Sequence, residues 1–375
     1  MINTLTSLRF FFALAVFAHH IILNVNRFIN LPGDVSRILD EGFIGVGFFF
    51  ILSGFVLTYS YQNKILTNTT NKKDFYIARF ARIYPMHLFM LLFVLLKNYV
   101  LFTPETPFNI GTFFINLFLL QSFVPETSIY FSFNDVSWSL SDEMFFYLCF
   151  PFLIPLLSKL KVNIKFLSVL IMAVIVFIVN LQLNTPEEKF AILYINPFMR
   201  IFDFILGIYI CKTWLHLKDK VIKLNFNLLE IGSVVILFAF VYLSVYFPLS
   251  YRYSIYYWIP IAILLVTFAF QKGIISKVIS KRIFVLLGEA SFCFYMIHVQ
   301  WIQSMKTFMF SLKDWLPADN PLVSMSVFAG VFILTFAGIC LLSIALHLCI
   351  EKPMNKYIKK VCIKPKLKNV SPPCE

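Results

Sequence analysis

Ten largely apolar stretches, most of them close to 20 residues long, limit this chain to very few folds. They run over 8–26, 43–60, 83–103, 139–157, 166–183, 192–210, 228–247, 253–270, 283–303 and 323–349, with short polar segments between. A hydrocarbon core about 30 Å thick is crossed by about 20 helical residues. In lipid the backbone must satisfy its own hydrogen bonds, which leaves helices or a closed barrel, and runs of this length suit helices. Composition agrees: of 375 residues 59% are hydrophobic and 14% charged, against roughly half and a quarter in soluble domains. The chain reads as an all-α polytopic membrane protein with ten transmembrane helices. An eleventh stretch, 113–124, is too short to cross and reads as a re-entrant or interfacial segment.

The formal net charge is +13. In a soluble protein that would suggest nucleic acid; here the placement of the basic residues sets orientation. With the N-terminus inside, inner segments hold 24 of the 32 Lys and Arg and outer segments six, while Lys97 and Arg200 fall within spans. Counting 113–124 as a crossing would put Lys159, Lys161 and Lys165 outside, so both termini read as cytoplasmic. Residues 1–353 then form the membrane domain and 354–375 a basic cytoplasmic tail, solvated beside anionic lipid. The seven Cys form no C-x-x-C pair, hence neither a disulfide framework nor a metal site is expected. Arg9 followed by a short apolar run resembles a signal peptide, but the run ends in His19-His20 without a cleavage site, so it reads as a retained first helix.

An ionisable group at mid-bilayer costs at least about 2.5–3.5 kcal/mol, so each one needs a reason. Arg9 and His20 are eleven residues apart, three turns plus about 20°, which puts them on one helical stripe about 16 Å apart along the axis. Arg9 then lies at the inner mouth and His20 near or beyond the midplane, while His19 faces elsewhere. Arg79 and Arg82 share a face and could clamp a phosphate, or anchor the span on the inner side. Glu143, in Trp138-Ser-Leu-Ser141-Asp142-Glu143, could serve as a base, orient a His or cap the outer end of span four. Arg200 and Asp203 are spaced i,i+3 and read as an internal ion pair; His347 and Glu351 are spaced i,i+4 at the inner rim. The small residues around Ser53, from Gly42 to Gly54, read as helix packing. His298, three residues after Tyr295, falls in the outer half of span nine. Together His20, Glu143 and His298 outline an acid/base centre on the outer side, and Arg9, Arg79 and Arg82 an anion site on the inner side.

These residues also carry a family resemblance. The Arg9-x10-His20 span, GVGFFFILSGFVL at 45–57, RFARIYP at 79–85, WSLSDEMFFYL at 138–148, RIFDFILG at 200–207, LGEASFCFYMIH at 287–298 and HLCIEKP at 347–353 resemble acyltransferase family 3. The resemblance is collinear over nearly the whole chain. It implies ten membrane helices, acyl-CoA (often acetyl-CoA) as donor substrate with no bound cofactor, and a cell-surface or exported glycan as acceptor. It further implies that His20 and Arg9 are essential and that Arg79 and Arg82 act on the donor side, in a bacterial-type inner membrane. Many members have a second Glu where Met144 stands, and some have Asp in place of Gly47. Several relatives carry a C-terminal esterase-like domain; here that role would fall to the membrane part or to a separate periplasmic partner.

The expectation is therefore a membrane O-acyltransferase whose acceptor is an O-antigen, lipopolysaccharide, exopolysaccharide or lipid-linked saccharide. His20 acts as general base or is itself acylated, with Glu143 and His298 orienting it or shuttling the proton. Trp138, Arg200, Asp203, Tyr295, Ser53 and Glu351 would support the site. A secondary transporter is the alternative, since intramembrane charges also mark transport paths, but it predicts related halves and none is evident.

Overall fold

The computed structural model describes residues 2–25, 33–98, 108–220, 224–313 and 321–363. Every element among them is helical. The long helices are α1 (Asn3–Val25), α3 (Ile44–Leu66), α4 (Lys72–Leu96), α7 (Trp138–Ser158), α8 (Val162–Gln182), α10 (Pro197–Leu217), α11 (Phe226–Leu243), α13 (Ile255–Ala269), α15 (Arg282–Lys313) and α16 (Pro321–Leu346). Short helices connect them: α2 (Gly33–Asp40), α5 (Ile110–Leu117), α6 (Thr127–Tyr130), α9 (Pro186–Lys189), α12 (Leu249–Arg252), α14 (Ile274–Ile279) and α17 (Lys352–Cys362). Nine helical segments among the described residues are long and apolar enough to cross a membrane. They become ten if the segment Pro186–Ile195, bent by 43° from α10, is joined to it as one span. The protein is a multi-pass membrane protein.

Polar caps start the spans where the sequence turns apolar. Asn71 accepts from the Lys73 N–H ahead of α4, and Asn196 from the Phe198 N–H ahead of α10, where Pro197 occupies a position whose N–H would have had no partner. Within 113–124 the described structure is the end of α5 and a single tight turn. At about 12 Å, α5 cannot span the core.

Close approach at small residues sets the layout. A Cβ on Gly54 would lie 2.0 Å from the Phe204 carbonyl oxygen, and one on Gly207 1.9 Å from that of Ile51. α3 and α10 therefore meet backbone to backbone, as the small residues of 42–54 suggest. Gly288 of α15 is pressed in the same way on Thr6 of α1, 2.0 Å from its carbonyl oxygen. The order of contacts shows direction. Thr6 meets Gly288 and His20 meets His298, so α1 and α15 run parallel. Gly47 meets Arg200 and Gly54 meets Phe204, so α3 and α10 are also parallel. Away from this centre, α8 buries only Met172, Val176 and Asn180, as a helix bathed in lipid would.

Two buried carboxylates staple the bundle. Glu230 accepts the Gly273 N–H at 2.8 Å, the Ser276 N–H at 3.0 Å and the Ser276 hydroxyl, tying α11 to the start of α14. Glu41 pairs with Arg252 and accepts the Tyr257 hydroxyl at 2.6 Å.

The stretch read as a solvated tail begins with α17, which packs on α4. Lys352, Lys356 and Lys360 are exposed, whereas Asn355, Ile358 and Lys359 are half-buried.

Candidate active site

The parallel packing of α1 and α15 brings two histidines together. His20 is half-buried, His298 is buried, and their ring centroids are 4.8 Å apart. His298 Nδ1 lies 2.5 Å from the Tyr295 carbonyl oxygen and His20 Nδ1 2.9 Å from that of Val16. A carbonyl only accepts, so each Nδ1 carries a hydrogen. His298 Nε2 then accepts from His20 Nδ1–H at 3.2 Å. In neutral His20 the basic lone pair is accordingly on Nε2, with His298 able to stabilise the charge that follows protonation. His19 packs edge-on against the His20 ring, with centroids 5.2 Å apart, and its Nδ1 lies 3.0 Å from Asp40 on α2.

One turn further in, a cavity of about 50 Å³ is lined by Arg9, Phe49, Phe50, Ser139, Glu143 and Tyr295, among others. Tyr295 links the levels: its hydroxyl accepts from Ser139 at 3.0 Å, and its carbonyl holds His298. Glu143 lines this cavity in the field of Arg9, Arg82 and Arg79, with Tyr147 one turn along the same helix. The expectation had Glu143 beside His20. Instead α7 starts a turn below His298, where Ser139 meets Tyr295, so five residues along it Glu143 lies level with Arg9. Arg9 likewise is not at the helix mouth, because α1 begins six residues earlier. A larger cavity, about 390 Å³, is lined almost entirely by aliphatic and Phe side chains such as Leu8, Phe12, Val241 and Phe268. Glu41 is the one charged residue in its lining, which includes neither His20, His298 nor Glu143.

The two arginines of α4 differ from each other. Arg82 pairs with Glu351, whose second oxygen accepts from His347 Nδ1 at 2.8 Å and the Cys293 thiol at 3.1 Å. Its charge is thus met by a carboxylate from the turn His347–Glu351 at the end of α16. Arg79 donates to the Tyr61 hydroxyl at 3.2 Å and lies over the rings of Tyr61 and Tyr147, 5.1 and 5.9 Å from their centroids. None of those partners is a carboxylate.

Arg200 and Asp203 form the internal pair that their spacing suggests, 3.0 Å apart and fully buried. Asp203 also accepts from Trp258 at 2.5 Å and Ser254 at 3.0 Å. Arg200 lies over the Phe50 and Tyr194 rings, and Trp138 packs against the same two. Arg200, Asp203 and Trp138 therefore support the cavity wall through Phe50 rather than entering it. Outside the spans, Asp135 precedes α7; burial pushes its carboxyl up to about 6, against the pull of Lys97.

The family described as an acyltransferase domain matches residues 2–344. The chain belongs to acyltransferase family 3. Acyltransferase MdmB of Streptomyces mycarofaciens is 31% identical over 323 residues, 80% of this chain and 79% of that protein. Peptidoglycan O-acetyltransferase OatA of Listeria monocytogenes is 27% identical over 288 residues, 68% of this chain. Putative peptidoglycan O-acetyltransferase YrhL of Bacillus subtilis is 26% identical over 317 residues, 78% of this chain. The aligned part is 44% of OatA and 47% of YrhL, so this chain corresponds to about half of each. No solved structure matches it. Within this family member, sequence reasoning missed Tyr147 and Cys293 at the site. The i,i+4 spacing of Glu143 and Tyr147 was the available signal for the first; Cys293 carried none.

Proposed function

We propose that this protein is an inner-membrane O-acyltransferase that takes an acyl group, acetyl in the first instance, from acyl-CoA in the cytoplasm. It passes that group to a hydroxyl of an outward-facing glycan. The observation that carries the reading is a series of polar groups at successive levels of the bundle. It runs from Arg79, through Arg9 and Glu143 at the small cavity, past Tyr295, to His20 and His298. A donor with phosphates at one end and a thioester at the other fits such a series. The relatives named peptidoglycan O-acetyltransferases support an O-linked product.

The topology proposed is ten crossings with both termini cytoplasmic. The parallel pairs α1/α15 and α3/α10 support it, since the number of crossings separating the members of each pair must then be odd. It places Arg79 inside and His20 toward the outside.

In the proposed reaction Arg79 and Arg9 hold the donor phosphates, while Arg82 keeps Glu351 and the inner rim in place. His20 Nε2 takes the proton from the acceptor hydroxyl as its oxygen attacks the thioester carbonyl. The C–S bond breaks, and the leaving thiolate takes that proton from His20, releasing the CoA thiol and the ester. His298 accepts the Nδ1–H of His20 throughout and steadies the imidazolium. Direct acylation of His20 Nε2 uses the same geometry.

The test is mass spectrometry of envelope glycans from cells with and without the protein, followed by isotope transfer from labelled acetyl-CoA in membrane vesicles. Label in a glycan ester, lost with His20→Ala, supports the reading. Glycans identical in both strains, with no protein-dependent label, contradict it.

A further inference from the structure

Three lysines of α17 point outward and a fourth points in. Lys352, Lys356 and Lys360 are exposed, while Lys359 is half-buried with Asn355 and Ile358 on the face that packs against α4. That helix carries Arg79 and Arg82, and both act electrostatically on Lys359. Three cations turned toward one another repel unless negative charge lies among them. Glu351 answers Arg82. For Arg79 the structure gives a tyrosine hydroxyl and two ring faces. Neither Arg79 nor Lys359 has a carboxylate partner among the described ion pairs, so the seam where α17 packs on α4 carries two cations without a counter-ion. Arg presents a planar fork and Lys a compact point charge on a flexible stem, a combination that suits a phosphate group.

We propose that Lys359, carried by α17, completes with Arg79 a phosphate-binding site that holds the nucleotide end of the acyl-CoA donor. The inference rests on the donor reading above and extends it to a segment that sequence alone assigns to a solvated tail. It makes α17 the cytoplasmic wall of the donor entrance. A lipid headgroup offers the same phosphate chemistry, and the experiment separates the two.

Full-length protein in phosphatidylcholine nanodiscs is titrated with CoA, and again in nanodiscs containing phosphatidylglycerol. Lys359→Ala is expected to weaken CoA binding about tenfold or more in both, the loss of one charge-assisted contact. Lys356→Ala and Lys360→Ala, which remove the same charge from the exposed face, should stay within about twofold. Lys359→Arg should recover most of the affinity. The difference between wild type and Lys359→Ala should shrink as salt rises. If wild type binds CoA and Lys359→Ala binds it as well as Lys356→Ala does, Lys359 has no part in the site and the inference fails alone. If Lys359→Ala changes only the phosphatidylglycerol retained on purification, the site belongs to a headgroup and the inference is overturned. If wild type binds no CoA, the donor reading fails and takes this inference with it.

Discussion

Replacing Arg82 by Ala should destabilise the protein, whereas replacing Arg79 by Ala should weaken donor binding. The sequence places the two arginines one turn apart and gives them one role; their partners give them different ones. In the Arg82–Glu351 pair the Arg side chain is 26% exposed and the Glu side chain 2%. Removing Arg82 strands a buried carboxylate, the costlier direction, and breaking a buried pair from one side typically costs about 3–5 kcal/mol. His347 and Cys293 still bond the second oxygen, so the low end, about 3 kcal/mol, is expected. Removing Glu351 leaves an arginine that water can reach, which should cost about 1–2 kcal/mol. The double variant Arg82→Ala/Glu351→Ala should then be more stable than Arg82→Ala alone. Thermal unfolding of purified protein, with size-exclusion recovery as a second readout, gives the four corners of the cycle. An Arg82→Ala protein as stable as Arg79→Ala, with additive effects in the double variant, would refute the reasoning.

Three further outcomes are expected. Gly207→Ala should lower folded yield sharply, because its Cβ would sit 1.9 Å from a backbone oxygen that cannot move aside; Gly232→Ala, with open space around it, should not. Glu230→Ala leaves two backbone N–H groups and a hydroxyl without their acceptor, which should cost about 2–4 kcal/mol in thermal unfolding while activity at low temperature persists. Asp135, with its folded-state carboxyl raised to about 6, binds a proton more tightly folded than unfolded. Its contribution is thus best at low pH and is lost between about pH 4 and 6, so Asp135→Asn should flatten that fall and stabilise the protein at pH 7 by up to about 3 kcal/mol.

Local spacing carried part of this structure into plain view. Span positions, the Arg200–Asp203 and His347–Glu351 pairs, and the small-residue contact at Gly54 follow from helical periodicity and hydropathy. What periodicity cannot give is the level at which two helices meet. Glu143 lies with Arg9 rather than His20 because α7 starts well inside the bundle, and apolar-run counting measures from the wrong end. Arg82 and Glu351 are 269 residues apart, and only the packing of α4 beside the end of α16 joins them. Lys359 looked like one of many tail lysines, since hydropathy stops at Glu351 while the helix continues. The histidine pair was half legible: both fall at similar depth, but their contact depends on Gly288 letting α15 approach α1.

The central claim is that His20, held by His298, performs the chemistry and that its neighbour His19 does not. Acceptor-dependent release of the CoA thiol from acetyl-CoA, measured in vesicles with matched amounts of inserted protein, tests it most directly. A catalytic base contributes about 10²–10⁴-fold, so His20→Ala should fall to background while His19→Ala, which loses its Asp40 contact and ring packing on His20 and Phe43, keeps most of the rate. A His20→Ala protein that still turns over, beside a dead His19→Ala, would contradict the account.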